Sequence, residues 1–326
     1  MSQHFLLSTK ARTLSLAQVL RLSDEKAYEA FKAVRFSENA GEPFCPKCGC
    51  LTIYEFKTRK TFKCKECRAQ FSLTSGTIFS SRQLSLRDIL AAIAIFTNGA
   101  KGHSALQLSR DLDVQYKTAF VLSHKIREAM AAQDKAAKVS GHVEIDGMYA
   151  GGYVKPANHK ENRRDRRLVR NQTGKRMVVI AARERNGKTI TFVSKTEDAA
   201  VSKLHDLIEA GSIVYADEAT HWDEMHAHYD TKRINHSLAY SDGEGCTNQV
   251  ESFFSRLRRA EIGTHHHIAG RYLSAYAAEM DWREDHRRAS NGEQYAEILR
   301  AAALHPQSRQ WKGYWQKRRA DGNSRH

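Results

Sequence analysis

The chain has 326 residues, a hydrophobic fraction of 41% and only 4 prolines, which indicates a folded protein of two or three domains and excludes an intrinsically disordered chain. The formal net charge of +15 favours a polyanionic partner, first of all nucleic acid. The N-terminus lacks the apolar region of a signal peptide, and the most apolar run, ILAAIAIF from Ile89, is too short to span a bilayer. We therefore expect a cytoplasmic protein without a membrane partner, associated with the nucleoid when it binds DNA.

Residues 1–40 are predicted to form an N-terminal helical segment. The helical signal covers residues 14–36, where Ser23 is a suitable N-cap and Ala27 and Phe31 recur on one face. This periodicity gives the segment an apolar stripe that can pack on a core.

Residues 41–80 are predicted to form a zinc ribbon, because two CxxC knuckles lie fifteen residues apart among short aromatic and β-branched runs. Four thiolates can surround one structural Zn²⁺ tetrahedrally and leave no open position for catalysis. Cys50 could substitute as a ligand, but we expect it to be a bystander, and the alternative for the whole set is a group of buried free cysteines. The predicted zinc ligands are Cys45, Cys48, Cys64 and Cys67.

Residues 81–135 are helical in pattern and are predicted to contain a helix-turn-helix DNA-binding region. Ala105, Leu108 and Leu112 form an inner face, and Asp113 falls in the turn. A recognition helix presents its first residues to the bases of the major groove. The alternative is a helical hairpin that serves only core packing. The predicted DNA-contacting residues are Gln115, Tyr116, Lys117 and Thr118.

Residues 140–290 change to an alternation of strands and helices, which predicts a further domain of the α/β class. Three strands joined by short turns should be antiparallel, whereas a strand reached through a helix should be parallel to its neighbour. The result is a mixed sheet with flanking helices, as in ribonuclease H-like folds, followed over 291–326 by a C-terminal helix and a basic tail. The predicted elements are strands at 142–149, 176–183, 188–195, up to Asp217 and near 232–236, and helices near 198–210, 248–260, 268–286 and 292–304.

Two apolar strands of this domain carry a carboxylate at or near their ends. Asp146 lies in HVEIDGMYAGG and Asp217 closes SIVYAD, while Glu251 lies on the polar stripe of a predicted helix. Such acids can converge at the carboxyl edge of a sheet and hold two Mg²⁺ or Mn²⁺ ions for phosphodiester chemistry. The glycines that follow the first aspartate, Gly147 and then Gly151 and Gly152, would let a nucleic-acid backbone come close.

Each acid also has an alternative interpretation. Asp146 could accept hydrogen bonds from a turn at the end of its strand. Glu144 shares the face of the same strand and could be the ligand instead. Asp217 could cap the next segment beside Glu218, and Glu251 could complete a capping box with the backbone at Asn248. Spacing alone leaves these alternatives open.

Three stretches, VEIDGMYAGG, SIVYADEATHWD and CTNQVESFFSRLRRAEIGTHHHIAGRYLSAYAAEMDWRED, together resemble the DDE-type insertion-sequence transposases with an ISXO-like catalytic domain. That group carries an N-terminal zinc ribbon, and the resemblance covers residues 20–300 of the chain. It implies DNA partners, namely the terminal inverted repeats of the element and the target DNA, and a homodimer or higher oligomer on DNA.

The same resemblance implies roles for single residues. A basic residue one or two helical turns after the third acid would be Arg258 or Arg259, and Asn248 is assigned as the third ligand in some relatives. The family commonly has an acid directly after the first aspartate, and Gly147 stands there in this chain. The catalytic residues that the resemblance implies are Asp146, Asp217, Glu251, Asn248 and Arg258.

A basic loop is predicted between the first two strands of this domain. Residues 155–176 hold nine lysines or arginines against two acids, and the loop lies beside the proposed metal site. Its place favours contact with DNA phosphates, although a solvated loop is the alternative. The predicted phosphate contacts are Arg163, Arg164, Arg166 and Arg167.

The sequence therefore predicts a transposase that cuts DNA at the ends of an insertion sequence and joins the 3′-hydroxyl groups to target DNA. A DNA-binding regulator with an inactive nuclease-like domain is the first alternative. A structure-selective nuclease without strand transfer is the second. Strand cleavage and joining with Mg²⁺ distinguishes these functions, whereas DNA binding does not.

Overall fold

The computed structural model describes residues 5–133, 137–150, 159–162, 176–217, 219–234 and 246–314. The chain divides into two compact units, one formed by Met1–Gln133 with Arg288–His326 and the other by Asp134–Arg287. The α-helices are α1 (Leu16–Leu20), α2 (Asp24–Arg35), α3 (Leu86–Asn98), α4 (Ala105–Asp111), α5 (Tyr116–Ala132), α6 (Val201–Leu207), α7 (Asn248–Ala260), α8 (Leu273–Asp285) and α9 (Asn291–Leu304). The strands are β1 (Ile53–Phe56), β2 (Thr61–Cys64), β3 (Gln70–Phe71), β4 (His142–Ala150), β5 (Met177–Glu184), β6 (Thr189–Ser194), β7 (Ile213–Asp217) and β8 (Asp230–Ile234).

Serine N-caps begin several helices of the first unit. The side chain of Ser23 accepts a hydrogen bond from the backbone N–H of Lys26, as its predicted capping role requires, and Ser85 and Ser104 cap α3 and α4 in the same way. Helix α9 packs against α2, α3 and α5, so the C-terminal helix completes the core of the N-terminal helices.

The most apolar run of the chain lies in α3. Leu86 and every residue from Ile89 to Thr97 are buried, because α1, α2 and α9 all contact this helix. Helix α3 is apolar on all sides because it lies at the centre of the core. Across the parts of the chain that the structure describes, none of the helices is both long and apolar enough to cross a membrane.

The four predicted zinc ligands come together beside a three-stranded antiparallel sheet of order β1-β2-β3. Their Sγ atoms all lie within 4.8 Å of one another, with 3.5 Å between Cys45 and Cys67 and 3.6 Å between Cys48 and Cys64. Tetrahedral Zn–S bonds of about 2.3 Å place sulfurs about 3.8 Å apart, so this cluster fits a structural Zn²⁺. Cys50 lies outside the cluster, with its thiol 3.7 Å from the carbonyl oxygen of Thr52.

The second unit is built on a five-stranded sheet of order β6-β5-β4-β7-β8. β4, β5 and β6 pair antiparallel, whereas β7 is parallel to both β4 and β8, so the predicted mixed sheet is confirmed. Asn186 adopts a left-handed conformation, with φ of 58°, in the hairpin turn predicted between β5 and β6.

Three predicted boundaries differ from the structure. A 3-10 turn precedes α6, and this helix ends at Leu207 because Ile208 is extended and bridges to Val139. β8 begins at Asp230, two residues before the predicted start, and α8 begins at Leu273. Helix α7 spans the predicted 248–260.

Helices cover both faces of the sheet. On one face Val143 and Ile145 of β4 pack with α6, and on the other Met148 and Ala150 pack with α7 and α8. Alternate residues of a strand point to opposite faces, so Glu144 and Asp146 point towards the α7 side. The polar residues of β4 therefore lie under helix α7.

We predict that Cys64→Ser abolishes zinc binding and unfolds the three-stranded sheet, whereas Cys50→Ser retains one Zn²⁺ per chain. Zinc supplies about 10 kcal/mol or more to the folding of small zinc sites, which this short sheet cannot replace. Elemental analysis of protein purified without chelator, combined with limited proteolysis, measures both effects. Equal zinc content in the two variants would contradict the assignment of Cys64 as a ligand.

Candidate active site

The parallel pairing of β4 and β7 aligns Asp146 with Asp217. Val143 pairs with Val214 and Glu144 with Tyr215, and the same offset of 71 residues sets Asp146 level with Asp217, just beyond the last paired residues. Neighbouring strands lie about 4.8 Å apart, and directly paired residues point to the same face. The two aspartates therefore lie side by side under the face that α7 covers.

Helix α7 brings Glu251 to the same place. Val250, Phe253 and Phe254 are buried against the sheet, which leaves Glu251 at the edge of the packed face, in the first turn. Oε1 of Glu251 accepts a hydrogen bond of 3.0 Å from the hydroxyl of Thr247, the residue before the helix.

Glu144 anchors this helix, contrary to the alternative that it replaces Asp146 as a ligand. Its carboxylate is fully buried and accepts hydrogen bonds from the backbone N–H groups of Gln249 at 2.8 Å and Val250 at 3.1 Å. Arg185 donates to its other oxygen at 3.1 Å. These bonds occupy both oxygens, and they also satisfy the backbone donors of the second and third residues of α7.

The acids at this edge of the sheet act on one another electrostatically. The pKa of Asp146 is raised to about 7, mainly by burial and in addition by the negative charges of Asp217, Glu197 and Glu251, while the hydrogen bond of 2.7 Å from the backbone N–H of Gly147 lowers it. Removal from water and nearby like charges both disfavour the ionised carboxylate. The site thus gathers negative charge that a bound cation would neutralise.

The carboxylates are nevertheless not drawn into a tight set of ligands. Among the described residues, the cysteine cluster is the one group of three or more potential ligand atoms that all lie within 4.8 Å of one another. Repulsion between like charges keeps carboxylates apart until a cation lies between them. Oxygen donors of this kind are those that Mg²⁺ and Mn²⁺ prefer, so the donor chemistry fits such ions.

The other predicted residues lie around these acids. Oδ1 of Asp217 accepts a hydrogen bond of 3.2 Å from Ala219 N–H, so it also shapes the turn after β7. Glu218, which was weighed beside it, lies outside the described residues. Asn248 is the exposed first residue of α7, and Arg258 is exposed two helical turns beyond Glu251, on the same side of the helix.

Arg259, the second basic candidate on this helix, is bound locally. Its guanidinium donates to the backbone oxygen of Ser255 at 3.1 Å and to the hydroxyl of Ser255 at 2.7 Å. The exposed Arg258 is therefore the better placed of the two to reach a ligand.

In the first unit, the predicted DNA-contacting residues lie at the start of α5. Asp113, with φ of 50°, forms the turn after α4, and Gln115 is the N-cap of α5. Tyr116 is 48% exposed. Gln115, Lys117 and Thr118 line a groove together with the cationic side chains of Arg82, Lys125 and Lys312. The groove is suited to a polyanion.

The basic loop lies almost entirely outside the described residues, among them Arg163, Arg164, Arg166 and Arg167. Sequence reasoning missed Arg185 and Glu197. Arg185 stands in an ordinary hairpin turn, and Glu197 in a short polar stretch, KTEDAA, without any motif. Glu197 follows β6, which β5 separates from the strand of Asp146, so strand order in the sequence gives no signal for its position.

Comparisons with known proteins match two ranges of the chain to transposase domains. Residues 138–285 match the family described as the ISXO2-like transposase domain, and residues 22–70 match the transposase zinc-ribbon domain. The chain is 24% identical over 294 residues to a Halobacterium salinarum protein described as an uncharacterized protein in transposable element ISH50. This alignment covers 86% of the chain and 97% of that protein. No solved structure matches the chain.

The two matched domains occur in the order that the sequence predicts, with the zinc ribbon before the sheet that carries Asp146, Asp217 and Glu251. Residues of the cysteine cluster and of the carboxylate site fall within the matched ranges. The chain therefore contains an ISXO2-like transposase domain, preceded by a transposase zinc-ribbon domain.

Proposed function

We propose that this protein is a DDE-type transposase, which cleaves DNA at the ends of its insertion sequence and joins them to target DNA by metal-dependent phosphoryl transfer. The observation that carries the proposal is the register of β4 and β7, which sets Asp146 beside Asp217 under the helix of Glu251, inside the range of the transposase-domain match. Strands and helices hold side chains in fixed positions, so acids on two neighbouring strands and a covering helix are suited to bind metal ions.

Asp146, Asp217 and Glu251 would hold Mg²⁺ or Mn²⁺ in this proposal. When bound, such ions activate the attacking water or 3′-hydroxyl and stabilise the leaving oxygen of a phosphodiester. Arg258, exposed on the same side of α7 as Glu251, is suited to bind a DNA phosphate near the acids. Asn248 lies one turn before Glu251 and could add an amide oxygen.

The sheet supports a ribonuclease H-like fold for the second unit. Its order β6-β5-β4-β7-β8 combines three antiparallel strands with two parallel ones, and helices cover both faces. In such a sheet the acids come from the central strands β4 and β7, which are buried on both sides. Rigid central strands hold charged ligands with little motion.

DNA recognition is assigned to three further features. Helices α4 and α5 are proposed as a helix-turn-helix whose second helix presents Gln115, Tyr116, Lys117 and Thr118 to the terminal inverted repeats. The basic loop is proposed to hold phosphates of element or target DNA. Because two element ends must be cut and joined together, we propose that the protein acts as a homodimer or higher oligomer on DNA.

We predict that Asp146→Asn and Asp217→Asn fold and bind DNA but lower strand cleavage by about 100-fold or more, because an amide cannot supply the charge that the cation requires. Asp206→Asn, which removes an exposed acid from α6, serves as the control and should cleave normally. The assay uses purified protein, Mg²⁺ and DNA that flanks its own gene. Normal cleavage in both site variants would assign cleavage to other residues, whereas wild-type protein that binds this DNA without cleaving it would favour the regulator.

The same assay identifies the third ligand. Glu251→Gln should be nearly inactive at unchanged stability, since Glu144 binds the backbone N–H groups of Gln249 and Val250 in the first turn of α7 and an amide oxygen at position 251 can still accept a hydrogen bond. Asn248→Ala should keep part of its activity. The reverse result would identify Asn248, one helical turn before Glu251, as the third ligand.

We predict that Asp146→Asn stabilises the protein at neutral pH when Mg²⁺ is absent. The pKa of Asp146 rises from 3.8 to about 7 on folding, so the folded state holds the extra proton between those values and the free energy of unfolding falls as the pH rises through them. The gain at pH 8 should be on the order of 4 kcal/mol, because the pKa differs by about three units, and should fall to about half of that at pH 5.5. Thermal unfolding followed by circular dichroism measures it, with Asp206→Asn as a control, and a loss of stability at pH 8 would contradict the buried site.

We predict that joint replacement of Arg163, Arg164, Arg166 and Arg167 by glutamine weakens DNA binding with little change in sequence preference. Phosphate contacts release counterions, so their loss should flatten the dependence of log Kd on log salt concentration by up to about four. Fluorescence anisotropy between 50 and 200 mM salt, the range in which such contacts are resolved, gives this slope. An unchanged slope would identify the loop as a solvated surface.

A further inference from the structure

We infer that Glu197 is a fourth carboxylate of the metal site, and that Gly147 is a glycine because the carboxylate of Glu197 fills the space beside it. This inference rests on the proposed function, since it adds a ligand to the same centre for a hard divalent cation. It concerns a residue that lies in the turn between β6 and α6, apart from the three motifs of the site.

Gly147 directly follows Asp146 on β4, and its lack of a side chain has a specific consequence. A Cβ built on Gly147 would lie 2.2 Å from Oε1 of Glu197 and 2.9 Å from its Cδ, closer than atoms can approach. The backbone of Gly147 is not in the left-handed region, so another residue could adopt its conformation. The glycine is therefore required for space, and that space is taken by Glu197, although the sequence suggested access for a nucleic-acid backbone.

Two residues from the neighbourhood of the aspartates hold Glu197 in this position. The hydroxyl of Tyr149, on β4, donates a hydrogen bond of 3.2 Å to Oε2. Nε2 of His221, in the segment after β7, lies 3.4 Å from the same oxygen. With Oε2 held in this way, Oε1 is the oxygen that lies against Gly147, the residue next to Asp146.

The charge of Glu197 belongs to the same electrostatic group as the aspartates. It acts on Asp146, and the charge of Asp217 acts on Glu197. A role as a helix cap does not explain its place, because Glu197 precedes the 3-10 turn Asp198–Ala200 and makes no capping hydrogen bond with its side chain. Its side chain is only 14% exposed, whereas a solvated acid would turn to water.

The test measures the affinity of the full-length, zinc-loaded protein for Mn²⁺, with free Mn²⁺ followed by electron paramagnetic resonance. We expect Glu197→Gln to weaken Mn²⁺ binding about tenfold, which corresponds to the loss of one charged ligand. Gly147→Ala should have the same effect, because its methyl group displaces only the end of a flexible side chain and leaves the fold intact. Asp198→Asn, next in the chain, is the matched control and should bind Mn²⁺ normally.

The double variant decides how the two positions act. If Gly147→Ala works by displacing Glu197, it should change Mn²⁺ affinity less than twofold in the Glu197→Gln background. Equal weakening in both backgrounds would overturn the link between the two positions. Circular dichroism and zinc content, measured for each variant, identify any that fail to fold.

Asp146→Asn separates this inference from the proposed function. One outcome would overturn the inference alone: Asp146→Asn loses Mn²⁺ binding, but Glu197→Gln keeps an Mn²⁺ affinity within twofold of wild type. Glu197 would then be a structural partner of Tyr149 and His221. Normal Mn²⁺ binding in Asp146→Asn would overturn the proposed metal site itself.

Discussion

The buried carboxylate of Glu144 is the interaction on which the geometry of the active site depends. It lies on β4 two residues before Asp146 and binds the backbone of Gln249 and Val250 at the start of the helix that carries Glu251. A buried charge is costly unless hydrogen bonds satisfy it, and here the helix N-terminus and Arg185 supply them. Because moving the helix would leave this charge unpaired, the strand and helix that carry the acids are held in one relative position.

Arg185 extends this anchor to the next strand and to the segment before α7. Its guanidinium stacks on the ring of Tyr215 at 3.8 Å and donates a hydrogen bond of 2.9 Å to the backbone oxygen of Cys246. Tyr215 lies on β7 two residues before Asp217. The ion pair between the buried Glu144 and the partly buried Arg185 thus fixes the supports of all three proposed ligands.

This arrangement gathers negative charge at the expense of stability. The pKa of Asp146 is raised mainly by burial and further by three neighbouring acids, so the ionised carboxylate is disfavoured until a cation is bound. The zinc cluster differs, since its four ligands already lie within one coordination sphere. The cysteine cluster stabilises the local fold when it binds zinc. At the carboxylate site, repulsion between like charges is proposed to favour the binding of a cation.

The sequence by itself determined the features that depend on local pattern. CxxC spacing identified the four cysteines, apolar periodicity gave α7 its bounds, and the order of strands and helices gave the mixed sheet that aligns Asp146 with Asp217. Only the tertiary structure decided what Glu144 does and where Glu197 lies. Both contacts join residues far apart in the chain, and whether a carboxylate faces a helix N-terminus, a neighbouring acid or water depends on packing that spacing does not encode.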